Sequence, residues 1–237
     1  MITSESLSAL GRRSCLMMLA ACATLPMVGC TPELPDYRYR LSVEVDTPDG
    51  VRSGSSVIQV ASHVSSKYSL APGDVTNQVT GEAVVVNLPG GKTLFALLSK
   101  PGSAEGASAY ALDALISKPW VGWKEYVADV SSLKKIRDVG VLPPKDWPML
   151  VTFGDINDPT TVMSINPDDL VSHFGTGVKI RRITVQVTQD PITSELRSRL
   201  AWIGTYPEPA LKSTNDMNDY SISATLRHGD FLRVLRE

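Results

Sequence analysis

From Tyr37 onward, apolar and polar side chains alternate strictly. Tyr37, Tyr39, Leu41, Val43 and Val45 fall on one side, and Arg38, Arg40, Ser42, Glu44 and Asp46 on the other. A period of two held this long predicts a half-buried strand. Thr47-Pro48-Asp49-Gly50 then supplies a turn, since proline fixes φ and glycine tolerates φ > 0, and Val51 to Ala61 returns as a second strand of a hairpin. Residues 62–80 are polar and irregular. Ala83-Val84-Val85-Val86 is a continuous apolar run that suits a central strand covered on both faces. Pro89-Gly90-Gly91-Lys92 turns the chain, and Thr93 to Leu98 makes a second hairpin.

Beyond residue 100 the period changes. Ala107 to Ile116 is alanine-rich, with Leu112, Leu115 and Ile116 at helical spacing, and residues 125–137 place Tyr126, Val130 and Leu133 on one stripe, so each predicts a short helix. Val141 to Pro148, with three prolines, reads as an extended connector, and Met149 to Phe153 as a brief strand. Asn166-Pro167-Asp168-Asp169 carries the signals of a helix start, giving a helix from Pro167 to Phe174 that Gly175 ends.

Val178 to Thr188 is a strand whose parity breaks between Ile180 and Ile183, which a bulge near Arg181-Arg182 reconciles. Ile192, Leu196, Leu200 and Ile203 share a helical face after Pro191, predicting a helix to about Ile203 with Gly204 as its cap. Ser221 to Leu226 alternates as a strand, His228-Gly229-Asp230 turns, and Phe231 to Leu235 closes the chain. Hairpins outnumber crossovers, so the expected class is α+β: a largely antiparallel β-sheet built from hairpins, with several short helices. Residues 37–237 read as a single α+β domain.

The first thirty residues differ in kind. Arg12 and Arg13 precede an uncharged, mostly apolar run from Ser14 to Val28, which ends in Gly29 and Cys30. A basic start, an apolar middle and a small-residue end make a secretory signal peptide over residues 1–29. The apolar run falls short of the roughly twenty residues a membrane-spanning helix needs, and Pro26 interrupts it. Met27-Val28-Gly29-Cys30 resembles the lipobox of bacterial lipoproteins, in which the cysteine is acylated and becomes the first mature residue. Leu19-Ala20-Ala21-Cys22 fits the same pattern, but cleavage there leaves too short an apolar stretch, so spacing favours Cys30. Arg12-Arg13-Ser14-Cys15-Leu16 also resembles a twin-arginine export signal, leaving the export route open between that and the general one.

With Cys30 as the lipidation site, Cys15, Cys22 and Cys30 are all consumed by signal and anchor, and no disulfide staples the mature body. Its attachment to membrane lipid rests on the acylated Cys30, where the diacylglycerol and amide-linked chain of lipoproteins together give stable anchoring. Residues 30–36 read as a short tether. Removing residues 1–29 leaves 21 basic and 24 acidic side chains, a balance that argues against nucleic acid as a partner.

Chemistry-bearing residues are sparse. Gly90-Gly91-Lys92-Thr93 resembles the end of a phosphate-binding P-loop, but the first glycine of that pattern would fall at Val86, and an apolar strand follows where a helix is needed. His63, His173 and His228 are the candidates for a general base or imidazole ligand, and none has a partner at ligand spacing. Asp155, Asn157 and Asp158, and Asn215, Asp216, Asn218 and Asp219, offer oxygens without calcium-loop spacing. Trp120 and Trp123 flank Gly122 as core anchors or an aromatic platform. No catalytic, cofactor or metal residue is therefore assigned.

Val43 to Gly50, continuing through Gly54-Ser55-Ser56-Val57-Ile58, and Ile183-Thr184-Val185-Gln186-Val187-Thr188 resemble a group of bacterial envelope proteins of no known activity. The likeness implies a shared fold and carries no site residue with it. The expectation is a lipid-anchored envelope protein facing the periplasm from the outer membrane, a non-catalytic binding or structural module for an envelope protein or cell-wall partner. The alternative is an envelope hydrolase whose site is assembled from dispersed residues.

Overall fold

The computed structural model describes residues 34–65, 74–103, 106–116, 122–204 and 209–234. The strict alternation becomes β1 (Tyr37–Thr47), whose burial also alternates residue by residue. β2 (Gly50–Val64) returns against it in the expected hairpin, with Tyr39 opposite Ile58 and Thr47 opposite Gly50. The next strand, β3 (Val75–Glu82), was not expected, because Thr76, Gln78 and Thr80 made residues 62–80 look like loop. Those polar side chains sit on the solvent side of a strand that pairs with β2, while Val79 points into the core.

β4 (Val84–Asn87) and β5 (Thr93–Ala96) form the second hairpin. After them come α1 (Tyr110–Leu115), α2 (Trp123–Leu133) and β6 (Val139–Val141), then β7 (Leu150–Phe153) and β8 (Val162–Ser164). α3 (Val171–Phe174) leads into β9 (Lys179–Thr188), and single turns α4 (Leu196–Arg199), α5 (Ile222–Thr225) and α6 (His228–Phe231) precede the two-residue β10 (Leu232–Arg233). The strands form two antiparallel sheets, one in the order β10-β3-β2-β1-β9-β6 and the other β4-β5-β7-β8. The α+β class with hairpin-built antiparallel sheets is the observed one.

The smaller sheet lies between two hydrophobic clusters and feeds both. Val84, Val86, Leu94, Ala96 and Leu150 join the inner face of the larger sheet, together with α1 and α2, in the main core. Ala83, Phe95, Leu97 and Val151 point the other way, into a second core closed by Leu196, Leu200, Leu226 and Phe231. Burial on both faces is why residues 83–86 read as an unbroken apolar run. The expected central position was wrong: β4 ends its sheet, and β2 covers it instead. A Cβ added at Gly54 of β2 would stand 2.0 Å from the Val85 carbonyl oxygen, so the backbones meet where no side chain fits.

Inner tyrosines tie the large sheet to the segment before α1. The hydroxyls of Tyr37 and Tyr39 donate to the carbonyls of Ser108 (3.1 Å) and Ala107 (2.5 Å), and Tyr110 donates to Ser99 (2.9 Å). Each buried phenol is thereby satisfied, and burial holds all three well above the ordinary tyrosine pKa.

In β9 the predicted bulge is present. Glu44 faces Arg182 and Val45 faces Ile180, leaving Arg181 as the extra residue. The bulge lets Arg182 reach Glu44 (2.8 Å) and Arg181 reach Asp46 (2.7 Å) on the solvent face.

Several helix and strand expectations need correction. Residues 167–170 do not start the α3 helix, because the Asn166 side chain caps a local turn at Asp168 and Asp169 in turn accepts from Ser172. The long helix expected from Pro191 shrinks to α4. Thr193 instead lines β2 just beyond its pairing with β3, exchanging hydrogen bonds with Val57, and the Glu82 carboxylate accepts the N–H groups of Glu195 (3.0 Å) and Leu196 (2.9 Å). Ser221 to Leu226 alternates without being a strand, folding as α5, and the expected turn at His228 is the helical α6. β6 and β8 were too short to show a period. Leu34 already belongs to the main core at 7% exposure, so the body begins inside the expected 30–36 tether.

Candidate functional site

The P-loop-like residues form a hairpin turn. Gly90 and Gly91 both have left-handed φ (73° and 72°), Leu88 donates to the Lys92 carbonyl, and Thr93 enters β5. No helix N-terminus follows, so the geometry that cradles phosphate is not formed.

The turn instead rims a cleft of ≈ 380 Å³ at one end of the smaller sheet, with Phe95, Phe153, Asp155 and Ile156 among the residues that line it. Behind the cleft, Phe95, Phe153, Trp202 and Phe231 interlock at ring separations of 5.4 to 6.1 Å. The two charged side chains on the rim are already engaged. Lys92 Nζ donates to the His173 carbonyl, and Asp155 accepts the backbone and side-chain N–H groups of Asn157.

The most concentrated buried charge lies elsewhere. Lys100, in the turn after β5, meets Asp146 at 2.5 Å and Asp113 of α1 at 3.5 Å, and Lys145 meets Asp146 at 2.6 Å. Burial opposes the Lys100 charge, but its hydrogen bond to Asp146 and the fields of both carboxylates outweigh burial and hold the amine above its ordinary pKa. Burial also works against charge on Asp146, and the hydrogen bonds from Lys100 and Lys145 reverse that, lowering its pKa. Asp113 is raised, chiefly by burial.

A catalytic amine nucleophile needs the opposite shift, since only the neutral amine attacks. A lysine clamped by two carboxylates is a clasp joining three chain segments, with no proton to give or take near neutral pH.

Each histidine occupies a different element: His63 is exposed on β2, His173 sits in the last turn of α3, and His228 opens α6, buried edge-on to Trp202 at 5.3 Å. The acidic loops close on themselves. Asp158 accepts from Thr160, Asp216 from Asn218, and Asp219 from Ser221 and Lys212. Among the described residues, no group of three or more His, Cys, Asp or Glu side chains is placed to hold a metal ion.

Trp123 begins α2 at 38% exposure with Lys124 5.8 Å from its ring, whereas Trp120 lies outside the described residues. Cys30, the predicted lipidation site, also lies outside them, as does the whole of the predicted signal peptide. No helix among the described residues is long and apolar enough to cross a membrane.

Sequence reasoning missed the Lys100 clasp. Its members are separated by 13 and 46 positions along the chain, and no local spacing signals a salt bridge closed by tertiary packing. No protein-family model matches the chain, and neither a curated protein nor a solved structure matches it.

Proposed function

We propose that this chain is an envelope lipoprotein, acylated on Cys30 after removal of residues 1–29, whose α+β body is a non-catalytic binding or structural module facing the periplasm. The observation that carries the reading is Met27-Val28-Gly29-Cys30 at the end of an uncharged apolar run behind Arg12-Arg13. Leu34 supports it: a folded body that starts four residues after the cysteine suits a mature protein whose first residue is Cys30. The non-catalytic part rests on how the body uses its chemistry. Lys100 is held charged between carboxylates, and the three histidines sit on three separate elements.

The membrane lipid is thus the first partner, through Cys30, and an envelope protein or cell-wall polymer the second. The outer membrane is the proposed destination. Labelled palmitate fed to cells tests the anchor: label enters the native protein and is lost in Cys30→Ser. Label retained by Cys30→Ser moves the lipid to another residue and contradicts the assignment.

A further inference from the structure

We infer that the basic end of the larger sheet, formed by Lys134, Lys135, Arg137 and Arg38, rests on the anionic headgroups of the bilayer that carries the acyl anchor. The inference deepens the lipoprotein reading and depends on Cys30 as the attachment point.

Only Thr31, Pro32 and Glu33 separate Cys30 from Leu34, which is buried in the main core. A fully extended chain spans at most about 3.6 Å per residue, so an acylated Cys30 keeps Leu34 within roughly 14 Å of the membrane surface. The body is held against the lipid, and the surface around the start of β1 is the one that meets it.

In β9, Thr188 pairs with Arg38 near the start of β1, and Gln186 pairs with Val139 of β6. Gln186 also pairs with Arg40 of β1, so Val139, where β6 begins, stands level with Arg40. Two strand spacings of about 4.8 Å then set Val139 roughly 10 Å from Arg40, near the anchored end of the sheet, and Arg137 precedes Val139 by two residues.

Arg137 reaches back to the Lys134 carbonyl (2.7 Å), which fixes the end of α2 beside it. Lys134 and Lys135 are exposed and form no ion pair among the described residues. Of the acids nearby, Glu33 belongs to the link itself, Asp190 is held by Arg40 and Thr188, Asp36 accepts from Gln59, and Asp138 lies exposed between Arg137 and Val139. Val139 is 54% exposed and adds an apolar contact beside the charges. Basic side chains next to an acyl anchor are the arrangement by which a surface charge adds to a lipid attachment.

The test uses the full-length acylated protein in vesicles of phosphatidylethanolamine and phosphatidylglycerol containing a headgroup spin label. A fluorophore is placed at Val139→Cys, or at Asp49→Cys in the β1–β2 turn. The eleven residues of β1 set that turn roughly 35 Å away along the strand. Quenching at residue 139 exceeds that at residue 49 by about threefold or more, and the excess disappears in Lys134→Glu/Lys135→Glu, in phosphatidylcholine replacing phosphatidylglycerol, or in high salt. Both lysines are exposed, and an unchanged melting temperature for the double variant confirms that its fold is intact. Equal quenching at the two positions overturns the inference, as does an excess at residue 139 that ignores charge reversal. The parent protein, with no introduced cysteine, reports separately on the anchor, because it takes up dye only if the Cys30 thiol is free or residues 1–29, with Cys15 and Cys22, are retained.

Discussion

Gly54 and Val85 bring the two sheets into backbone contact: a Cβ built on the glycine would stand 2.0 Å from the valine carbonyl oxygen and 2.8 Å from its carbon. The neighbouring atoms are main chain, so they cannot rotate aside as a side-chain end could. Gly54→Ala is expected to destabilise the body by about 1–3 kcal/mol, the usual penalty for overpacking. Gly90→Ala in the exposed turn meets open space and costs only its left-handed backbone strain, about 1 kcal/mol. Urea unfolding of the two variants checks the order, and equal midpoints would show that the sheets slide apart without cost.

Glu82 is 3% exposed, and each of its carboxylate oxygens accepts one backbone N–H from the start of α4. Hydrogen bonds to a charged group contribute roughly 1.5–3 kcal/mol, and truncation leaves those donors buried without an acceptor. Glu82→Ala is expected to lower stability by that amount or more and to speed amide exchange at Glu195 and Leu196 before other amides. Glu82→Gln keeps one acceptor and should fall between. Unchanged exchange at residues 195 and 196 contradicts the capping role.

These two relationships also show where the sequence was readable. The β1–β2 hairpin and the bulge at Arg181 were legible because one face of each strand is wet, so side-chain period reports burial directly. The long helix expected after Pro191 failed for the opposite reason. Leu196, Leu200 and Ile203 of the stripe are apolar because the second core needs them, but Val57, bonded to Thr193, and Glu82, bonded to Glu195 and Leu196, hold this segment in place of a continuous helix. β3 hid because its outward residues are threonine and glutamine, which fit an exposed strand face and a loop equally well. The Lys100 clasp was invisible because it exists only once three segments have packed. The anchor is the reverse case, carried wholly by local spacing before Cys30.

The Lys100 clasp predicts two pH limits. A lysine whose folded pKa lies above its ordinary 10.5 contributes stability in full below that value and loses it as pH rises through the folded value. Asp146, lowered from 3.8, contributes above 3.8 and loses its contribution as pH falls through its folded value. Asp113, raised from 3.8, runs against Asp146 and weakens stability as pH climbs from 3.8 through its folded value. Lys100→Met should therefore cost about 1–3 kcal/mol at pH 7 and flatten the loss of melting temperature as pH rises above 10.5. An alkaline loss as steep in the variant as in the native protein shows that Lys100 is not its source.

Tyr39 is fully buried, and its hydroxyl reaches the Ala107 carbonyl at 2.5 Å. Tyr39→Phe keeps the ring and strands that carbonyl, for an expected loss of about 1–2 kcal/mol by thermal or urea unfolding. Tyr220→Phe, at 82% exposure, should leave stability within about 0.5 kcal/mol of the native protein. Equal effects at the two sites would mean that the Tyr39 bond contributes nothing net.

The account turns on the chemical state of one sulfur. Intact-mass and N-terminal fragment analysis of the protein extracted from native membranes with detergent measures it directly. The predicted result is a chain that starts at Cys30 and carries diacylglycerol on its sulfur and an acyl group on its amine. A chain that starts elsewhere, or a Cys30 bearing a free thiol, contradicts the account.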